Sequence, residues 1–333
     1  MRDPISNTGI SLFITLAAAG TLLAGCGQTA NAPEDGLTPS AARIAAHSWM
    51  SPASSNSSLL YVARNGVNVV TVFSYPQGKQ VGELTGFEAP WGLCSDQTGN
   101  VFVVDAQAQE IFEFAHGGTS PIATLNDAGN APNGCAVDPS TGNLAVAGGG
   151  PFNHIAANIA IFAGAQGTPT VYSNAKAYQY IYCTYDGSGN VFTVDVYNKT
   201  ASGVITELAN GSSSFRAIPL GQPLREGVHA IQWDGTYFAI NNPSGASKGP
   251  MHVVQAQIHG SKASVVNTIK LNDSKGLADP IGSQLWIDGT TLAYPESAQS
   301  LVGLWHYPTG GKAYKDIKVG VGDIYGLTLS VGK

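Results

Sequence analysis

Few residues in this 333-residue chain have the types and spacing that chemistry requires. Gly245-Ala-Ser-Lys-Gly249 matches a nucleophile elbow letter for letter. That chemistry needs a strand, a sharp turn and a helix, with histidine and acidic partners; here the surroundings read as a hairpin loop. His-Glu-x-x-His, a phosphate-cradling Gly-Lys loop and Cys-x-x-Cys pairs do not occur in the sequence. His252, His259 and His306 lie on or beside outer strands without ligand spacing, which favours surface or packing roles over metal. Cys94, Cys135 and Cys183 each fall inside a short apolar strand. They read as small buried hydrophobes, with a Cys135–Cys183 bridge as the alternative in an exported chain. Cys26 stands apart, directly behind the apolar run Ile10 to Ala24.

The elements that position these residues are strands. From Pro90 to Asp127 the chain reads as four short apolar strands split by turn signals. The second strand is the clearest repeat: Gly99-Asn-Val-Phe-Val-Val-Asp105, Gly142-Asn-Leu-Ala-Val-Ala-Gly148 and Gly189-Asn-Val-Phe-Thr-Val-Asp195. Looser copies begin at Ser58, Gly235 and Gly289. A spacing of roughly 45 residues suits four strands of about five residues plus turns. The first copy lacks a preceding strand, and an unclaimed strand, Tyr325 to Ser330, stands at the far end. The chain therefore reads as all-β: a six-bladed β-propeller over residues 58–333, its ring closed by the C-terminal strand joining the N-terminal blade. Forty-one glycines among Ser, Asn, Asp and Pro fit such a turn-rich chain.

The pattern Pro-x-Gly-(Leu/Cys)-x-x-Asp-x-x-Gly-Asn-(Val/Leu)-x-Val-x-Asp resembles the NHL repeat, within the wider NHL/TolB-like propellers, and is similar to NHL-like propeller lipoproteins of environmental bacteria. The likeness spans roughly residues 58–333, strong in blades two to four and worn in five and six. It implies the fold; propellers host binding, scaffolding and several enzyme chemistries. Leu23-Ala24-Gly25-Cys26 resembles the bacterial lipoprotein signal. That resemblance implies a signal peptide over residues 1–25, lipidation at Cys26 and a flexible tether over residues 26–57 with a short helix near Ala41 to His47. It also implies an extracytoplasmic place in the bacterial cell envelope. Gly27, in place of Asp, favours the outer membrane of a Gram-negative cell.

In such propellers the loops entering the inner strands share a face with the loops after the second strands. Trp91, Asn133, Tyr180, His229, Ser283 and Tyr325 open the inner strands; Arg64, Asp105, Asp195, Asn241 and Glu296 end the second ones. This mixed rim is the expected ligand-binding surface, while Asp105 and Asp195 also stand where a carboxylate caps a turn. Long insertions, Gly148 to Ala157, Asp195 to Gly203 and Asn241 to Pro250, lie on the same side. The expectation is a binding or scaffolding module for a protein, glycan or small ligand, without a cofactor. The alternative, by likeness to lactonase-type propellers, is a Ca²⁺-dependent hydrolase at the channel mouth. Asn133 and His229 would contribute, with Glu226 and Asp323 near but out of register. A third reading is an envelope assembly gripped by the propeller's side. A net charge of −6 with 11% charged residues gives no counterion-release drive toward nucleic acid.

Overall fold

The computed structural model describes residues 38–150, 154–195, 204–221, 228–243, 250–272 and 284–332. The expectations for the signal segment, Cys26, the start of the tether, Glu226, Ser283, the Gly245–Gly249 elbow and most of the three insertions lie outside those residues.

Strands run in antiparallel order along the chain. The first sheet holds β1 (Trp49–Met50), β2 (Leu59–Asn65), β3 (Val69–Ser74) and β4 (Gln80–Leu84). The second holds β5 (Pro90–Ser95), β6 (Val101–Asp105), β7 (Glu110–Phe114) and β8 (Pro121–Asn126). The third holds β9 (Pro132–Val137), β10 (Leu144–Gly150), β11 (Ile155–Phe162) and β12 (Thr170–Asn174). The fourth holds β13 (Tyr180–Tyr185), β14 (Val191–Asp195), β15 (Val204–Leu208) and β16 (Phe215–Pro219). An eight-stranded sheet follows, made of two antiparallel halves. One is β17 (Ile231–Trp233), β18 (Phe238–Pro243), β19 (Met251–His259) and β20 (Lys262–Leu271). The other is β21 (Trp286–Asp288), β22 (Thr291–Glu296), β23 (Leu301–His306) and β24 (Gly310–Lys318). A single parallel bridge, Leu271 opposite Gly311, joins them. The last strand, β25 (Asp323–Ser330), returns to β2, from Leu59 opposite Ser330 to Asn65 opposite Asp323.

Each sheet is buried on both faces, so its second strand reads as an unbroken apolar run. In β6, Val101 and Val103 point into the cluster shared with the first sheet, while Phe102 and Val104 join the cluster shared with the third. Comparable clusters link each later unit to the next, and one joins β22–β24 to β2, β3 and β25. The turns follow from the repeated aspartates. Asp96 Oδ1 accepts from the N–H groups of Thr98 and Asn100, both at 2.8 Å, and Asp186 Oδ1 does the same with Ser188 and Asn190. Gly99 supplies the left-handed residue that such a turn requires, at φ 91°.

The short helix expected near Ala41 to His47 is present and packed. Residues Pro39–His47 form helix α1, capped by the Thr38 side chain, with Ile44 fully buried beside Leu59 and Leu84. β1 then pairs with β4 and covers the outer edge of the first sheet. Ala41 and Ile44 form an apolar stripe that a solvated tether would leave in water.

The cysteine expectation is corrected. The bridge is Cys94–Cys135, and Cys183 is free and buried. Side-chain parity explains it. Cys135 and Cys183 stand at the same register position, so each points back toward the preceding sheet: Cys135 Sγ lies 4.0 Å from Phe102 O and Cys183 Sγ lies 3.6 Å from Ala145 O. A bridge between sheets needs the opposite parity on one side, which Cys94 has. In the third sheet that position is Ala136, which packs against the cluster containing Cys183. Ala136→Cys should therefore bridge to Cys183 under oxidising conditions. Free-thiol titration of the denatured domain from residue 38 should fall from one thiol to none; two free thiols would refute the register.

Candidate functional site

The expected rim is largely built into the framework. Asp105 is fully buried; Oδ2 accepts from Glu88 N–H at 2.7 Å and Oδ1 from Ala89 N–H at 2.8 Å. Asp195 Oδ1 accepts from Tyr178 and Gln179 N–H groups at 2.9 and 3.2 Å. Asn241 Oδ1 accepts from His229 and Ala230 N–H groups at 2.9 and 2.8 Å. These three side chains perform one task, holding the loop that leads into the inner strand beside them. Arg64 does it with reversed polarity: Nε donates to Val321 O at 3.0 Å and Nη1 to Thr71 Oγ1 at 3.2 Å. Glu296 is buried and accepts from the Gln299 amide. His229 and Tyr180 are fully buried. Tyr180 Oη accepts from Asn174 Nδ2 at 2.6 Å, and burial pushes its phenol up to about 12. Asn133 Nδ2 donates to Tyr180 O at 3.0 Å. Trp91 and Tyr325 stack half-buried, ring centroids 4.2 Å apart and planes within 5°. Asp323 is exposed on β25 opposite Asn65. Among the described residues no three of His, Cys, Asp and Glu gather so as to hold a metal ion.

Below this rim the inner strands touch. Tyr182 Oη donates to Tyr325 O at 2.7 Å. Gln284 Oε1 accepts from Leu93 N–H at 3.1 Å and Leu327 N–H at 3.3 Å, while Nε2 donates to Leu93 O at 2.6 Å. One side chain thereby ties three strands together, and both residues fill the space between them.

Beyond Gln284, at the opposite ends of the inner strands, a cavity of about 500 Å³ opens. Its inner wall is the Cys94–Cys135 bridge with Cys183, Ile231 and Leu285; Trp233 and Trp286 stand half-buried in its sides. Trp233 is held by Phe238, centroids 4.7 Å apart. Most polar groups in the wall are already engaged. The Gln232 amide exchanges hydrogen bonds with Ile287, Nε2 to O at 3.0 Å and N–H to Oε1 at 2.7 Å. Ser95 Oγ donates to Leu329 O at 2.6 Å, and Thr184 Oγ1 accepts from Trp233 N–H at 3.0 Å. Tyr185 is the exception: it is 6% exposed and its hydroxyl has no hydrogen-bond partner among the described residues. Together with Asp138 it lies where the cavity meets a smaller recess of about 150 Å³. Sequence reasoning missed this mouth because it weighed loop length rather than strand ends. The signal was present: Thr184-Tyr185-Asp186, Gln232-Trp233-Asp234 and Trp286-Ile287-Asp288 each put an aromatic one or two residues before an aspartate.

On the rim side, Asp127 is 1% exposed. Oδ1 accepts from Asn130 Nδ2 at 2.6 Å, and Oδ2 has no partner. Burial raises its carboxyl to about 6 against that hydrogen bond. Asn158 holds the other side of Asn130, Nδ2 donating to its carbonyl at 3.0 Å, which leaves Asn158 Oδ1 also unpartnered.

No known family profile matches the chain, and no curated protein does. Solved structures match it in fold. A chain of a nidogen/laminin complex aligns with a TM-score of 0.60 at 13% identity, covering 83% of this chain and 99% of that one. A protein of unknown function from Bacteroides caccae gives 0.59 at 14%, covering 82% and 99%. Apo AztD from Citrobacter koseri gives 0.51 at 9%, covering 84% and 99%. The fold is a β-propeller.

The Asp127 geometry sets a pH dependence. A carboxyl with its folded pKa raised from 3.8 to about 6 binds its proton more firmly when folded. Its contribution to stability is complete below about 4 and is lost as pH rises through about 6. Asp127→Asn keeps an acceptor for Asn130 and removes the buried charge. The variant should be more stable than the parent by about 3 kcal/mol at pH 8, with the gap closing by pH 4. Urea unfolding of both proteins across that range checks this, and parallel pH profiles would refute it.

Proposed function

We propose that this protein is a lipid-anchored, extracytoplasmic, six-bladed β-propeller of NHL-like repeats that serves as a binding or scaffolding module. The observation that carries the binding role is the cavity at the inner-strand ends, large enough for a small organic ligand and walled by two tryptophans on rigid strands. Its polar groups are mostly satisfied internally, so it offers shape and aromatic surface more than hydrogen bonds. The stacked Trp91–Tyr325 pair remains half-exposed at the other mouth and offers a second, smaller contact for a protein or glycan. One structural neighbour belongs to a complex of two proteins, nidogen and laminin, which accords with a protein-binding role for this fold.

The six-blade reading counts each half of the eight-stranded sheet as one blade. The pairing of β25 with β2 and the apolar cluster shared by the last half-sheet and the first sheet support the reading of a closed ring. Removing residues 323–333 should therefore abolish cooperative unfolding of the whole domain; a truncated domain with an unchanged melting curve would break the closed-ring reading.

The address rests on Leu23-Ala24-Gly25-Cys26. Two or more acyl chains on Cys26, at about 0.8 kcal/mol per buried CH₂, would hold the domain firmly at the cell envelope, on the outer membrane in a Gram-negative cell. The test uses one strain set. Fatty-acid labelling should mark the parent and not Cys26→Ser, which should shift to the soluble fraction. A thermal-shift panel on the domain from residue 38 should yield ligands whose effect disappears in Trp286→Ala. An unlabelled parent would sink the anchor; hits indifferent to Trp286 would sink the cavity as the binding site.

A further inference from the structure

The cavity has one sign of charge. Of its lining residues none is Lys, Arg or His, while Asp96, Asp138 and Asp288 are acidic. The three ion pairs found among the described residues, Arg43–Glu88, Arg64–Glu83 and Arg216–Glu207, involve none of them. Asp138 is the informative member, at 3% exposed. Ser140 N–H and Oγ donate to its Oδ1 at 2.9 and 2.8 Å, and Thr141 Oγ1 donates to its Oδ2 at 2.6 Å. These donors are neutral. They hold the carboxyl ionised against its burial, below its ordinary range, and among the described residues no cation pairs with it. A buried carboxylate without a counter-charge favours the arrival of one.

Two further features lie on the same wall. The Tyr185 hydroxyl, buried and without a partner, stands beside Asp138 in both the cavity and its recess. It can accept a hydrogen bond from an incoming N–H. Trp233 and Trp286 present half-buried indoles, and an indole face attracts a cation as well as apolar surface. The bridge, Ile231 and Leu285 offer nothing polar to the rest of a ligand.

Building on the reading of the cavity as the binding site, we infer that its ligand is an organic ammonium ion with an apolar or aromatic body. The ammonium group meets Asp138 and Tyr185, and the body lies against Trp233, Trp286 and the disulfide. Anions are turned away by three carboxylates without a cation among them.

The test uses three probes of one shape: phenethylammonium, 2-phenylethanol and 3-phenylpropanoate. They are titrated into the domain from residue 38 at pH 7, with tryptophan fluorescence and calorimetry as readouts. The ammonium should bind at least about tenfold more tightly than the alcohol, and the carboxylate should not bind. Asp138→Asn keeps the turn-forming Oδ1 and should erase the preference while leaving the alcohol's affinity unchanged. Tyr185→Phe, which removes only the hydroxyl, should weaken the ammonium selectively and by a smaller factor. Equal binding of the alcohol or the carboxylate, or a preference that survives Asp138→Asn, overturns the inference and leaves the cavity as a site for other ligands. Silence of all three probes at about 10 mM overturns both the inference and the cavity reading.

Discussion

The molecule depends on how closely its inner strands approach one another. A methyl group on Gly326 would stand 2.1 Å from the Trp91 carbonyl oxygen, and one on Gly92 would stand 2.5 Å from the Gly134 Cα. One on Gly134 would meet the Tyr182 ring at 2.4 Å. No side chain fits at these three contacts: the first two lay backbone directly on backbone, and the third lays backbone on the Tyr182 ring. The fourth sheet and the last half-sheet supply bulk instead: Tyr182 and Gln284 reach across and bond to main-chain groups of other strands. The centre is sealed by peptide groups and two long polar side chains, Tyr182 and Gln284, whose hydrogen bonds to the main chain hold the strands together.

This seal decides where a ligand can go. Above it the side chains of Asp105, Asp195 and Asn241 orient the loops leading into the strands, which consumes the hydrogen-bonding capacity a ligand would need. Below it the strands run on for several residues and diverge, and the aromatic residues at their ends leave room for a cavity. The two ends of the same strands thus divide the work between holding the framework and offering a surface.

The fold was legible because the strands are short, apolar on both faces and separated by an aspartate-glycine turn whose chemistry repeats. The assignment of β25 to the first sheet was legible for a related reason: one unit lacked its inner strand and the tail carried a spare. Parity was harder to see. Cys135 and Cys183 look like partners by spacing, yet a period of two sends both side chains the same way, and only Cys94, shifted by one residue, faces Cys135. The short helix near Ala41 to His47 was legible, but its docking was not: Ala, Ser and Pro suggest a linker, and two buried residues, Ala41 and Ile44, suffice to pack it. The cavity at the far strand ends was not legible because long loops attract attention while strand ends look merely structural.

The repeated aspartate links fold to field. Asp96, Asp138, Asp186 and Asp234 shape their turns by accepting main-chain N–H groups, a task that a neutral asparagine also performs. Using aspartate adds a charge at the end of an inner strand, and the ring-like repetition gathers Asp96, Asp138 and Asp288 around one opening. In water such charges would be screened within about 10 Å. In a cavity walled by a disulfide, two indoles and aliphatic side chains the dielectric is lower and the potential persists. A residue chosen for turn geometry therefore also sets the electrostatic character of the cavity. The sign of that potential comes from the repeat itself; the unpartnered Tyr185 and the two tryptophans are what individual units have added to it.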